Sequence, residues 1–313
     1  MTDAEYREEP ILVIGSAGID IVGRAMGGLR PGTSNPSHVR TSAGGAARNV
    51  AENLARLGLE VNLVTAIGDD TTGHWLLEQA EDVGINVEHA LMVSEDPTGA
   101  YLAFLDHHGT LHLGMDDMRV IQNITPEYLK ERRQLFTDAQ AIFLDANLPK
   151  KSLATAISLA KRANIPIAAD PTSINLAPNF TDHLEDLWLI TPNEAEAEVL
   201  CTHPVPHEDP GQVVDAARHL VSEGVEVVII TMAEFGLGYA THHGSGHVPA
   251  IKTEIIDPTG AGDALTAAVI FALVNEIPID EAVLLGLSAA SLTLRTSGTV
   301  VPNLSLELLY DQL

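Results

Sequence analysis

The sequence predicts an α/β fold with a mostly parallel central sheet, helices on both of its faces and a small β lid. Three observations carry this. Short apolar runs alternate with amphipathic segments along most of the 313 residues, the pattern of strands joined by crossover helices. Two glycine-rich stretches run straight into apolar helical segments. Two further stretches leave the alternation and read as antiparallel ribbon.

In chain order, Ile11–Gly15 (ILVIG) is a buried strand, followed by a polar, glycine-rich stretch through Gly32. Gly44–Leu57 is helical, with Val50, Leu54 and Leu57 at spacings of three and four, and Gly58 stops it. A strand over Val61–Ile67 and a helix over Gly73–Val83 follow. The strand Ala141–Asp145, the helix Lys150–Ala163 and the strand Ile165–Asp170 continue the alternation. Leu187–Ile190, a helix from Asn193, a helix over Gly211–Glu223 and the strand Val225–Thr231 extend it.

His38–Thr41 and Thr98–Met115 break the rhythm, the second with a turn at His107–Thr110. Both depart close to strand C-termini, where open α/β sheets place ligands. The expectation is one domain over 1–313, with lid segments at roughly 16–42 and 97–116. The alternative for the ribbon is an ordinary surface hairpin.

Hydrophobic residues make up 45% of the chain, enough for a full core. The single cysteine, Cys201, excludes an internal disulfide framework and suits a reducing compartment. The opening MTDAEYREEP is acidic and polar, unlike a secretory n-region. No apolar run approaches the roughly 20 residues a membrane span needs. These features predict a cytoplasmic protein. The formal charge of −26 disfavours nucleic acid and anionic membranes as partners.

The chemistry concentrates in Asp257-Pro-Thr-Gly-Ala-Gly-Asp263, which runs directly into ALTAAVIFALV. Gly260, Ala261 and Gly262 are small enough for backbone N–H groups to approach a ligand closely. The helix that starts there adds free N–H groups and the positive end of its dipole. Asp263 sits in the first turn, where it can take a proton from a hydroxyl beside that anion hole. The alternative for this stretch alone makes Asp263 a helix cap and the glycines a tight turn.

A second stretch, Ala43-Gly-Gly-Ala-Ala-Arg-Asn49, opens another helix. Gly44 and Gly45 let the backbone come near a ligand, and Asn49 offers a hydroxyl both a donor and an acceptor. A plain helix start is the alternative. A third, Asn193-Glu-Ala-Glu196, follows the strand LWLI and Thr191-Pro192. It reads as a capping box. Equally, it sits at a strand C-terminus, where Asn193 and Glu196 can organise waters around Mg²⁺.

Together these stretches resemble the ribokinase-like (PfkB) carbohydrate kinases over essentially the whole chain, in GGAARNVAENLARLG, the NxxE element and DPTGAGDALTAAV. The resemblance implies a ribokinase-like three-layer α/β/α fold and transfer of the γ-phosphoryl group of ATP to a hydroxymethyl group. It makes Asp263 the base and the amides of Gly260, Ala261 and Gly262 its anion hole. Asp20, Gly45 and Asn49, with neighbouring Gly44 and Arg48, fall on the sugar side. Asn193, Thr231, Gly236, Gly260 and Gly262 fall on the nucleotide side, and Glu196 on Mg²⁺, through water. Some relatives hold K⁺ beside the glycine loop. Asp257 and the Thr259 carbonyl are the candidates for that here, and the sequence leaves it open, as it does a homodimer formed through the lid.

Three positions depart from the family pattern. Gly18 stands where an Asn is frequent, Ala233 replaces the first Gly of the turn before Gly236, and Pro258 replaces the usual Thr or Ser.

Within the family the resemblance points to the pseudouridine kinase branch. It rests on Ser34-Asn35-Pro36, Arg48 ahead of Asn49, Asp117-Met118 leading to Ile124-Thr125-Pro126-Glu127-Tyr128-Leu129, the pair Asp145 and Asn147, and Asp170-Pro-Thr-Ser173. Ser34, Asn35, Asp145 and Asn147 thus join the expected substrate contacts. The alternatives are another sugar kinase of the family or a non-catalytic regulatory homologue that binds sugar or nucleotide.

Other features point away from chemistry. The pairs His107-His108 and His242-His243 read as turn histidines rather than zinc ligands. Neither a dinucleotide fingerprint nor a P-loop is present. Cys201 has no activating partner in sequence and reads as structural.

Overall fold

The computed structural model describes residues 9–205 and 209–313. The acidic opening segment through residue 8 lies outside them. Strand β1 (Ile11–Ile14) is followed by β2 (Gly18–Ala25) and β3 (Ser37–Gly44), then helix α1 (Ala46–Arg56). Next come β4 (Val61–Val64), β5 (Ala66–Gly68), α2 (Thr71–Asp82), β6 (Leu91–Val93), β7 (Gly99–Leu105) and β8 (Leu111–Asp117). Helices α3 (Pro126–Glu131) and α4 (Arg133–Thr137) precede β9 (Ala141–Asp145), α5 (Lys150–Ala163), β10 (Ile167–Asp170) and β11 (Leu189–Ile190). The chain continues through α6 (Glu194–Cys201), α7 (Pro210–Ser222), β12 (Val227–Thr231), β13 (Leu237–Thr241) and β14 (Ser245–Val248). It closes with α8 (Ala261–Val274), α9 (Ile279–Leu294) and α10 (Leu306–Asp311).

Eight strands form the central sheet in the order β14-β13-β12-β11-β10-β9-β1-β4. From β4 to β12 neighbouring strands run parallel, and β13 and β14 add an antiparallel edge. All four residues of β1 are fully buried, as expected for a strand covered on both faces. Leu12 and Ile14 point into one apolar cluster, shared with α5, α6 and α7. Ile11 and Val13 point into the other, shared with α1, α8 and α9. The fold is therefore three layers, α/β/α. No described helix is long and apolar enough to cross a membrane.

A second sheet, ordered β3-β2-β7-β8, carries the two segments that broke the alternation. Strand β2 was missed in the sequence because its burial pattern is inverted. Asp20 is 4% exposed, whereas Ile19 and Ile21 are only partly buried. The register explains this. Asp20 lies beside Ser42, Tyr101 and, one strand further, Asp116, giving one polar face. Ile21, Leu102 and Met115 share the opposite, apolar face with Val39, Phe104 and Leu113.

The expected strand Val61–Ile67 is two strands. It breaks at Thr65, after which β5 pairs with β6 in a separate two-stranded sheet, and Thr65's carbonyl accepts from Leu91 N–H. The His107-His108 pair lies in the β7–β8 turn and His242-His243 in the β13–β14 turn. Cys201 is buried and donates to the Ala216 carbonyl at 3.8 Å, and burial pushes its thiol up to about 12.

Candidate active site

A cavity of about 980 Å³ opens at the C-terminal ends of the parallel strands, between them and the polar face of the second sheet. This is where the parallel topology leaves a crevice. Of the expected residues, Asp20, Gly45, Asn49 and Asn147 line it, together with Asn193, Glu196, Thr231, Thr259, Gly260, Gly262 and Asp263.

Helix α8 starts from Gly260, whose φ of +81° is left-handed. A Cβ there would lie 2.2 Å from the Thr299 carbonyl oxygen, so only glycine fits. The Ala264 N–H is the first to bond back into the helix, to the Gly260 carbonyl at 2.9 Å. The preceding N–H groups, Ala261 to Asp263, have no intrahelical acceptor. A Cβ built on Gly262 would meet nothing within 4 Å, so the approach to these donors is open.

Asp263 is the third residue of this helix. The Asn49 side-chain amide, from the first turn of α1, donates to its Oδ2 at 2.7 Å. Arg48 fixes which way that amide points, because its Nη1 donates to Asn49 Oδ1 at 3.0 Å. Arg48 itself is buried, paired with Glu52, and does not line the cavity. Burial raises the Asp263 carboxyl to about 6, against the Asn49 hydrogen bond and nearby Arg48, which lower it. A carboxylate poised there, beside open amide donors, is equipped to accept a proton from a hydroxyl near neutral pH.

Asp20 lies on the polar face of the second sheet. Burial first, then the negative charges of Asp263 and Asp257, raise it to about 7. A Cβ on Gly44 would fall within 2.3–2.5 Å of the Asp20 carboxyl atoms. Gly44 therefore serves by making room for Asp20 and does not itself face the cavity.

The expected group is not brought together completely. Asp145 is fully buried behind the cavity. It accepts from Ser16 N–H (2.7 Å), Ser16 Oγ (2.6 Å), Ala47 N–H (3.2 Å) and Asn147 N–H (3.0 Å). Its place is to hold the β1 loop and the start of α1, so that Ser16 and Asn147 face the cavity. Ser34 and Asn35 are outside the cavity too. The Asn35 side chain is used up within its own turn, on Arg30 N–H, Arg30 carbonyl and Thr33 carbonyl, as turn asparagines often are. Gly236 sits in the turn before β13, packed on the Val248 carbonyl, rather than on the cavity wall.

On the other side, Asn193 and Glu196 form a complete capping box, each side chain accepting from the other's N–H at 2.9 Å. Burial raises the Glu196 carboxyl. Asp170, at the end of β10, lies well above the ordinary carboxylate range, from burial and then from the charges of Glu196 and Asp263. Two carboxyls that oppose each other's ionisation inside one cavity form a hard-oxygen donor set in want of a cation, which fits Mg²⁺. In sequence Asp170 stands only as a branch marker; in the structure it lines the cavity. Its position at a parallel strand's C-terminus was the signal that marks it as a site residue. Asp117, likewise a branch marker in sequence, lines the cavity as well, and so do Tyr101 and Asp116, which the sequence reading of the ribbon as cover does not single out.

Comparison with known proteins identifies the family of the chain. The pfkB family carbohydrate kinase profile matches residues 8–305. The chain is 33% identical to the pseudouridine kinase of Escherichia coli (strain K12) over 95% of its own length and 94% of that protein. It is 28% identical to the guanosine-inosine kinase of Exiguobacterium acetylicum, over 94% and 97%. Among solved structures, a carbohydrate kinase from Agrobacterium tumefaciens superimposes with a TM-score of 0.82 at 29% identity, covering 97% of each chain. The Arabidopsis thaliana ribokinase, complexed with ribose and ATP, superimposes with a TM-score of 0.83 at 24% identity, covering 96% and 98%. The chain belongs to the pfkB family of carbohydrate kinases and is an ATP-dependent sugar or nucleoside kinase.

Proposed function

We propose that the enzyme phosphorylates the 5′ hydroxyl of pseudouridine, with Asp263 as the base. The observation that carries the catalytic reading is the Asn49–Asp263 hydrogen bond at the open N-terminus of α8. The substrate hydroxyl passes its proton to Asp263. Its oxygen bonds to the γ-phosphorus of ATP, and the bond from that phosphorus to the β-phosphate oxygen breaks to release ADP. The amides of Ala261 and Gly262 meet the charge on the transferring group, where positioning and electrostatics carry most of the catalysis. Bound Mg²⁺ neutralises charge on the phosphates. Glu196 and Asp170 are the carboxyls that fit it, through water.

The ribose side of this reading rests on Asp20 and Asn49, whose polar groups must be satisfied once the cavity closes. With Ser34 and Asn35 outside the cavity, recognition of the base falls to Asn147, Tyr101, Asp116 and Asp117. The second sheet serves as the lid, and its apolar outer face, with Val39, Phe104, Leu113 and Met115 exposed, suits a second copy of the chain. The identity to a pseudouridine kinase supports this substrate over a free sugar. The test is kcat/KM measured side by side for pseudouridine, uridine, adenosine, ribose and fructose. Pseudouridine is expected to lead. A ribose or hexose that beats it overturns the substrate and leaves the kinase.

A further inference from the structure

Asp257 precedes the glycine loop and is 1% exposed. Its Oδ1 accepts from the Thr259 N–H at 3.0 Å, which ties it to the turn that starts α8. Its Oδ2 has no hydrogen-bond partner among the described residues and is met instead by the guanidinium of Arg40. Arg40 is the only described cation in ion-pair contact with it. It comes from β3, on the polar face of the lid, where its register partner is the inward-facing Val22. A buried carboxylate without a counter-charge is costly. Here the counter-charge is covalently part of the chain.

The surroundings make the pair part of the active-site frame. Gly260 packs against the Thr299 backbone, and Thr299 Oγ1 donates to the Ala43 carbonyl at 2.7 Å, on the same strand as Arg40. Strand β3, the Thr299 segment and the Thr259–Gly260 turn are thus braced together around the Arg40–Asp257 pair. Asp257 and the Thr259 carbonyl are the groups expected to hold a monovalent cation. With a guanidinium against the carboxylate, they do not fit one.

We propose that Arg40 is a tethered cation that neutralises Asp257 and positions the turn carrying the anion hole, so that this kinase works without K⁺. Arg40 is a positioning residue, acting through Asp257 and Thr259 rather than on the substrate. The lid then does two jobs: it covers the cavity and brings the charge that sets the turn.

The test compares the native enzyme and Arg40→Met in KCl and in choline chloride at constant ionic strength. For the native enzyme, kcat is expected to agree within about two-fold in the two salts, with no KCl-specific rise in Tm. Arg40→Met is expected to lose about 10–100-fold in kcat in choline chloride, the scale of a small misplacement of a catalytic group. It should acquire a KCl-specific rise in both Tm and kcat, and Arg40→Lys should keep most of the native turnover. Should Arg40→Met fail to fold, the Arg40→Met/Asp257→Asn double variant removes the stranded carboxylate and is expected to fold and to turn over faster than the single variant. Saturable stabilisation or activation of the native enzyme by K⁺ overturns the proposal. So does an Arg40→Met variant with native kcat, or a double variant no better than the single one. The Tm readout needs no substrate, so a wrong choice of nucleoside leaves it intact.

Discussion

Asn49 and Asp263 are 214 positions apart in sequence, yet the amide of one lies 2.7 Å from the carboxylate of the other. Each sits in the first turn of its helix. The two glycine-rich helix starts therefore meet tip to tip across the cavity floor. Arg48 holds the Asn49 amide in the donating orientation, so the Asp263 carboxyl is oriented from two elements of the fold.

Asp263→Asn is expected to cut kcat by about 10²–10⁴-fold, the range for losing a general base, while the protein folds. It is also expected to be more stable than the native enzyme at pH 8. The folded carboxyl is raised from 3.8 to about 6. Between those values the folded state holds a proton that the unfolded state has lost, so stability falls as pH rises through this window. The amide escapes that loss, on the order of 1–3 kcal/mol above the window. Thermal unfolding of both proteins at pH 4 and pH 8 checks this. A variant less stable at both pH values contradicts it.

The pH–rate profile follows from the same group. The base must be ionised, so kcat/KM should rise with pH through about 6. Asp20, raised to about 7, feels the charge of Asp263. The acid limb is therefore expected to be broader than a single titration. Asp20→Asn should sharpen the limb, since Asp263 is then left to titrate through it without that neighbour. An acid limb unchanged by Asp20→Asn would uncouple the two carboxyls.

Asn49→Leu removes the hydrogen bond that lowers Asp263. The acid limb should then move to higher pH, by about one unit for a bond to a charged group. The loss of kcat at pH 6 should exceed that at pH 8. A variant with the native limb and a raised KM alone would make Asn49 a substrate contact with no part in setting the base.

Most of the frame was legible because its signals are local. Strands such as Ile142 to Leu144 are buried on both faces and read as unbroken apolar runs. Glycine before an apolar helix marked both ends of the Asn49–Asp263 contact. Strand β2 was not legible, because the lid reverses the usual rule: Asp20 faces in and Ile21 faces out. Asp145 was legible as a polar residue at a strand end but not as a buried one. Which way a strand-end carboxylate turns is decided by Ser16 and Ala47, from distant parts of the chain. Asn35 was placed on the substrate by resemblance, while its own loop consumes its hydrogen bonds.

The lid yields the last prediction. Its polar face supplies Asp20, Tyr101 and Asp116 to the cavity, while its apolar face exposes Val39, Phe104, Leu113 and Met115. Apolar side chains of this size gathered on one face are what the proposed second copy of the chain would cover. As the proposed lid, folding over bound substrate, the sheet would exclude water and so limit wasteful ATP hydrolysis. Removing the hairpin turn 107–110 with its flanking strand residues should therefore raise KM and increase ATP hydrolysis in the absence of substrate. Leu113→Asp alters only the outer face. It should shift the protein toward monomer by light scattering, and raise KM more than it lowers kcat, because Asp263 and the α8 turn are untouched. Unchanged kinetics after loss of the hairpin would reduce the sheet to a surface ribbon. An unchanged oligomeric state in Leu113→Asp would leave the outer face without a second copy to cover it.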